Sequence, residues 1–316
     1  MKPHVLIVGA TGGTGAAIVA ACLARDLSVT VFGRSLTKLK AQFPVSVAYA
    51  QGDVFDSASI VAAGQNSNLV FQCAAVPYHE TVSRQLPLAE SVMTAAQQIG
   101  ARVVYIDGIY AYGASTGQPM TESAPMRPIS KKGQIKAQLT QLLFNERFSA
   151  VPTCLIRLPD YFGPSARASS YLGLTMMGIA ACKPTFYIGK RSVAREYIFL
   201  PDAAEMILNI ALSDTHFTGV WNIPGQQITG DKLLKLANDA SGNHMPLFTL
   251  TKPALRFLGL FDADLREIVE MYYLTKKPVI LDSHKYQTIF GKPVKTPFER
   301  SIPYTIGQIA LAHNPH

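Results

Sequence analysis

The chain has 316 residues, 48% of them hydrophobic and 16% charged, which excludes a disordered protein and leaves room for a nucleotide-binding domain with a smaller companion. The net charge is +8, from 29 Lys and Arg against 21 Asp and Glu. The basic residues are scattered and never reach the run of about five or six like charges that marks a nucleic-acid arm, so the excess suits an anionic cofactor or substrate and predicts no nucleic-acid partner.

From the N-terminus, short apolar runs alternate with helical patterns. Strand-like runs lie at 5–8, 28–32, 45–49, 69–72, 103–106 and 153–157, and helical patterns at 14–25, 35–42, 56–63, 86–99 and 131–148. Strands that alternate with helices and carry no polar alternation of their own are buried on both faces. The pattern therefore predicts an α/β fold: a Rossmann-type doubly wound parallel sheet with a smaller C-terminal substrate domain.

After Arg157 the rhythm loosens, and Gly163-Pro164 breaks the chain. Helical patterns follow at 202–212 and 230–240, one or two more within 253–273, and a last one at 297–311, with a strand at 220–223. The predicted organisation is a dinucleotide-binding domain over 1–164 and a substrate-side domain over 165–316, with segments around 186–223 returning to the first domain. The apolar stretch 171–182 is shorter than the about 20 residues needed to cross a bilayer, so it reads as a buried or interface helix and no membrane partner is expected. Met1-Lys2-Pro3-His4 runs into the first strand with no signal-peptide layout, which predicts a cytoplasmic location. Cys22, Cys73, Cys154 and Cys182 are far apart in apolar surroundings and read as reduced core residues.

The most informative motif is Gly9-Ala10-Thr11-Gly12-Gly13-Thr14-Gly15. It follows an apolar strand and opens a helix, the context a pyrophosphate site requires. Glycine permits the tight turn and the close approach of backbone to phosphate, and the helix N-terminus presents N–H groups and a positive dipole end. At the end of the second strand, about 20 residues on, an acid would hold the ribose hydroxyls of NAD. The sequence there is Val31-Phe32-Gly33-Arg34-Ser35. It has no acid, and the Arg34 fork suits a 2′-phosphate. NADP(H) is the preferred cofactor on this reading, with NAD(H) as the second choice.

The three-and-three glycine spacing resembles the extended and atypical short-chain dehydrogenase/reductases, the NAD-dependent epimerase/dehydratase-like group. Further segments match that family in order from about Val5 to Gly242. Gly52-Asp53-Val54-Phe55-Asp56 resembles its adenine-binding turn, with Asp53 as acceptor and Val54 beside it, although an acid here also suits a helix cap. Gln72-Cys73-Ala74-Ala75 resembles the strand end that passes under the cofactor. Arg157-Leu158-Pro159-Asp160-Tyr161-Phe162-Gly163-Pro164 resembles the segment leading into the substrate region, which brings Pro159 to the cofactor. Arg195 to Asp202, and Val220 to Gly225 with the helix after it, resemble the family's late elements.

The resemblance implies a catalytic Tyr four residues before a Lys, and a Ser or Thr that orients the substrate. The segment here is Lys132-Gly133-Gln134-Ile135-Lys136. Lys136 stands at the family lysine and would hold the nicotinamide ribose, but Lys132 occupies the Tyr position. At the Ser position, four residues before Tyr112, the sequence reads Asp107-Gly108. Lys132 is then a candidate acid/base, as in isoflavone-reductase-like relatives that resemble this arrangement, or a solvated charge at a helix start. Tyr112, Tyr110, Tyr78 or Tyr161 are the alternative phenols. An NADP(H)-dependent oxidoreductase or epimerase/dehydratase-like enzyme acting on a small organic substrate is the first functional expectation, and a non-catalytic NADP(H) sensor or scaffold the second. The helices at 86–99 and 131–148 are expected to build a homodimer, as in dimeric members of the family. Gly113-Ala114-Ser115-Thr116-Gly117 matches the serine-hydrolase pattern, but Gln118-Pro119 follows where a helix is required. The seven histidines show no ligand spacing, and no metal site is expected.

Overall fold

A computed structural model describes residues 3–313. In chain order its elements are β1 (His4–Val8), α1 (Gly13–Ala24), β2 (Ser28–Gly33), α2 (Leu36–Gln42), β3 (Ala48–Gln51), α3 (Ser57–Gly64), β4 (Leu69–Gln72), α4 (Thr81–Ile99), β5 (Arg102–Gly108), α5 (Lys131–Leu143), β6 (Thr153–Leu158), β7 (Asp160–Phe162), α6 (Gly173–Ala180), β8 (Thr185–Ile188), β9 (Ala194–Phe199), α7 (Leu200–Ala211), β10 (Gly219–Asn222), β11 (Gln226–Thr229), α8 (Gly230–Ser241), β12 (Leu247–Leu250), α9 (Lys252–Leu258), α10 (Ala263–Met271), α11 (His284–Phe290) and α12 (Phe298–His313). They form two units. The first takes the chain up to Ala111, Lys131–Arg157 and Ala204–Trp221; the second takes Tyr112–Ser130, Leu158–Ala203 and the chain from Asn222 onward. The first unit thus closes at Arg157 rather than 164, cedes 112–130 to the second, and regains only 204–221 of the stretch 186–223.

The first unit is a seven-stranded sheet in the order β10-β6-β5-β4-β1-β2-β3. β1 pairs in parallel with both β2 and β4, so the strand order reverses there. That reversal opens a crevice at the C-terminal ends of β1 and β4, where doubly wound sheets bind ligands. Leu6, Val8, Val70, Val103 and Tyr105 of the sheet share one buried cluster with Leu88, Val92 and Met93 of α4 and Leu139 and Leu143 of α5. At about 25 cal/mol per Å² of apolar surface removed from water, this burial is the main force holding the helices to the sheet.

Local chemistry sets the element ends. Asp56 caps α3 by accepting from the Ala58 N–H at 3.1 Å, and Ser35 caps α2 by accepting from Lys38 N at 3.3 Å. β3 begins three residues later than the run at 45–49 predicted, because a turn from Pro44 to Val47 leaves Val45 96% exposed. α4 begins at Thr81, well before 86, and carries Pro87 in its interior. α5 ends at Leu143 rather than running to 148: Asn145 accepts from Arg147 N at 3.0 Å and starts a separate short turn over Glu146–Phe148. Such a cap competes with helix continuation.

The second unit holds a three-stranded sheet, β11-β9-β7, and a two-stranded one, β12-β8. The apolar stretch at 171–182 becomes α6, whose Met176 and Ile179 are buried with Leu233 of α8 and Ile302 and Ile306 of α12. Cys22, Cys73, Cys154 and Cys182 are all free thiols. Cys182 is exposed rather than in the core, because it turns the chain just past α6 with φ 50°. Asn222 is buried and donates from Nδ2 to Met120 O at 2.7 Å, so it anchors the 112–130 loop. Glu196, also buried, accepts the backbone N–H groups of Gly225 at 2.9 Å and Leu281 at 2.8 Å. Among the described residues no helix is long and apolar enough to cross a membrane.

Candidate cofactor and active site

The glycine turn closes on itself between β1 and α1. Gly12 N–H donates to Gly9 O at 3.0 Å. Gly9 has φ +78°, and a Cβ there would lie 2.4 Å from the backbone of Ala74. A Cβ at Gly15 would lie 2.5 Å from Gly9 O, so the third glycine lets the helix start pack onto the turn. Gly12, the N-cap of α1, has no side-chain cap bond, and the first turn Gly13-Thr14-Gly15 has no acid. Thr11 beside it is half-buried and Thr14 is buried. A helix start with no acid in its first turn fits an anionic pyrophosphate.

Arg34 follows β2 with an exposed side chain, and its backbone oxygen accepts from Gln51 Nε2 at 3.1 Å. Asp53 is exposed and accepts from Phe55 N at 3.0 Å, while Val54 packs at the edge of the core. Ala74 is clasped by Gln72, which donates to Ala74 O at 2.7 Å and accepts from Ala74 N at 3.2 Å; Ala75 next to it is exposed.

The lysines of α5 are the departure from surface chemistry. Lys132 is 1% exposed, which overturns its reading as a solvated charge, and its Nζ stands 4.5 Å from the centroid of the Tyr78 ring. Lys136 Nζ lies 2.6 Å from Asp107 Oδ1 and donates to Gln85 Oε1 at 3.0 Å. Gln85 Nε2 donates to the Tyr105 hydroxyl at 2.9 Å. Burial pushes the Tyr105 phenol well above its ordinary range. A polar chain thus runs within the first unit from Tyr105 through Gln85 to Lys136 and Asp107. Gln85, Tyr105 and the Asp107 carboxylate carry no motif. The one sequence signal for Gln85 is its place on the apolar stripe of α4, in register with Leu88, Ala89 and Val92.

Of the remaining candidates, Tyr112, Pro159 and Tyr161 belong to the second unit. Tyr112 is buried and its hydroxyl donates to Asn222 Oδ1 at 2.8 Å. Pro159 is buried between β6 and β7, and Tyr161 is half-buried in β7. Tyr110, in the first unit, is half-buried in a short turn after β5. The second unit has its own buried polar cluster, which the motif reading did not assemble. Asp160 pairs with Arg195, and the Arg195 guanidinium lies 3.9 Å from the Tyr171 ring centroid. Tyr187 and Tyr197 share a hydrogen bond of 3.0 Å. Burial raises the Asp160 carboxyl against the opposing pull of Arg195. In the serine-hydrolase look-alike, Gly117 N donates to Ser115 Oγ at 3.2 Å and no helix follows.

A doubly wound sheet in this order, a glycine turn that opens a helix, and a lysine-bearing α5 define an α/β protein of the Rossmann type. The model of the NAD dependent epimerase/dehydratase family matches residues 5–223, and the chain belongs to that family. A search of curated proteins finds no match. Among solved structures, the chain is similar to the UDP-glucose 4-epimerase of Thermotoga maritima with UDP-glucose, at 17% identity and TM-score 0.76 over 98% of this chain and 100% of that one. The UDP-glucose 4-epimerase of Thermus thermophilus in complex with NAD gives 19% and 0.75 over 97% and 98%. WbmG of Bordetella bronchiseptica in complex with NAD gives 20% and 0.73 over 98% and 94%. At these identities the likeness is one of fold.

Proposed function

We propose that this chain is an NADP(H)-dependent enzyme of the epimerase/dehydratase family, acting by oxidoreduction on a small organic substrate in the cytoplasm. The observation that carries the reading is the glycine turn that opens α1, closed on itself and with no room for a Cβ at Gly9 or Gly15. Gly9, Thr11, Gly12, Gly13, Thr14 and Gly15 would hold the pyrophosphate, Arg34 the 2′-phosphate, Asp53 and Val54 the adenine, and Ala74 and Ala75 the wall of the cofactor site. Lys136 would donate to the nicotinamide ribose. When bound, the dinucleotide supplies hydride transfer. The chain itself supplies the proton, and Lys132 Nζ, shielded from water in the place of the family Tyr, is the group that holds and delivers it.

The absence of a hydroxyl at Asp107-Gly108 favours a second reading, a dinucleotide-binding sensor or scaffold without turnover. NAD(H) remains the alternative cofactor, since related structures hold NAD. α4 and α5, packed side by side, are the faces on which a homodimer would form.

The test is a titration of the purified protein with NADPH and NADH by fluorescence or calorimetry. NADPH binds at least about tenfold tighter, a difference of about 1.4 kcal/mol, and Arg34→Ala removes most of the gap. Equal affinities, or a preference for NADH, overturn the NADP(H) assignment.

A further inference from the structure

The polar chain that ends at Lys136 contains a group that none of the family's motifs requires. Asp107 sits at the end of β5 with a carboxylate side chain 1% exposed, and Lys136, on α5, has a side chain 14% exposed. Neither carboxylate oxygen has a well-directed hydrogen bond among the described residues. The Lys136 ammonium at 2.6 Å is therefore what compensates the buried charge. The same ammonium donates to Gln85 Oε1, and Gln85 is fixed in turn by the Tyr105 hydroxyl. An ion pair to β5 and a hydrogen bond to α4 thus fix where the lysine nitrogen stands. Next to Asp107, a Cβ built on Gly108 meets nothing within 4 Å.

We propose that Asp107 is a positioning residue for the cofactor site: it aims Lys136 at the dinucleotide and keeps its charge compensated between binding events. The inference rests on the dinucleotide reading above. If it holds, Asp107 acts only through Lys136, and its contribution to dinucleotide affinity vanishes when the lysine is gone.

A double-mutant cycle on the full chain tests this, with NADPH and NADH as probes and thermal melting run in parallel. Asp107→Asn and Lys136→Met are each expected to weaken binding by about tenfold, and the double variant to lie within about twofold of Lys136→Met alone, the non-additivity of residues that act as one unit. If Asp107→Asn does not fold, the double variant still decides. It removes both charges of the buried pair and is the better tolerated of the two. Affinity equal to that of Lys136→Met supports the proposal, and affinity weaker by the full tenfold overturns it. A folded Asp107→Asn that melts lower but binds both dinucleotides as the native protein does makes Asp107 a purely structural ion pair and also overturns it. Failure of the native protein to bind either dinucleotide overturns the parent reading, an outcome distinct from the other two.

Discussion

Glu196 and Leu281 are joined across 85 residues of sequence by a buried hydrogen bond of 2.8 Å from the Leu281 N–H to the Glu196 carboxylate. The second oxygen takes the Gly225 N–H, and Lys295 stands close by with Asp202 beyond it. The carboxyl therefore ties β9 to the chain on either side of β11.

Burial pushes the Glu196 carboxyl up from 4.5 to about 7, against the pull of both N–H groups and Lys295. The folded state thus holds a proton that the unfolded chain releases near pH 4.5. Its stabilising contribution is complete below that pH, falls as the pH rises towards about 7, and is gone above it. The loss is about 3 kcal/mol, from the shift at 1.36 kcal/mol per unit. Melting temperatures of the native protein should fall between pH 4.5 and 7 and then level off, and in Glu196→Gln that slope should disappear. An unchanged slope in the variant would assign the pH dependence to other groups.

Gly9 and Gly108 are expected to respond in opposite ways to a side chain. Gly9→Ala places a Cβ 2.4 Å from the Ala74 backbone at φ +78°, so it should cost about 2 kcal/mol or more in stability and abolish dinucleotide binding. Gly108→Ser enters space with nothing within 4 Å and should leave stability within about 0.5 kcal/mol. Chemical denaturation of the two variants checks the pair, and a Gly9→Ala protein that folds and binds normally refutes the cradle.

Lys132→Met should remove turnover and leave NADPH affinity within about threefold, because the thioether chain fills the same buried volume beneath Tyr78. A substrate is sought by following NADPH oxidation with carbonyl compounds and enones, and with UDP-sugars as probes suggested by the solved relatives. Normal turnover by the variant would transfer the proton to another group. Tight NADPH binding with no turnover across the screen is the result the sensor reading expects.

Light scattering at micromolar concentration should give twice the chain mass of 34.3 kDa. Replacing Phe144, 44% exposed just after α5, with Glu should shift the species towards monomer, since a charge in an apolar interface goes unpaired. A native protein of single-chain mass rules the dimer out.

Much of the first unit is legible in the chain because its strands are buried on both faces. Val5-Leu6-Ile7-Val8 and Leu69-Val70-Phe71 admit no other environment, and the glycines of the turn announce a backbone constraint directly. The place of Arg34 just past the end of β2 is equally plain. The second unit is less legible because β7, β8, β11 and β12 run only three or four residues each, too short for a period to show. The burial of the lysine site is not legible for a different reason. Lys132 and Asp107 belong to residue types that usually face water. Only their partners, Tyr78 and Lys136, reveal that they do not, and those partners are 54 and 29 residues away in sequence.

The order of the sheet also bears on how the protein is made. β10 pairs at the outer side of β6, yet residues 159–218 are synthesised between the two. Throughout that interval β6, with Thr153, Cys154, Leu155 and Ile156 all buried in the finished sheet, is an open apolar edge able to pair with a neighbouring nascent chain. Ribosome-bound chains that stop before residue 219 should therefore recruit chaperones or aggregate, and chains long enough to release β10 from the exit tunnel should escape both.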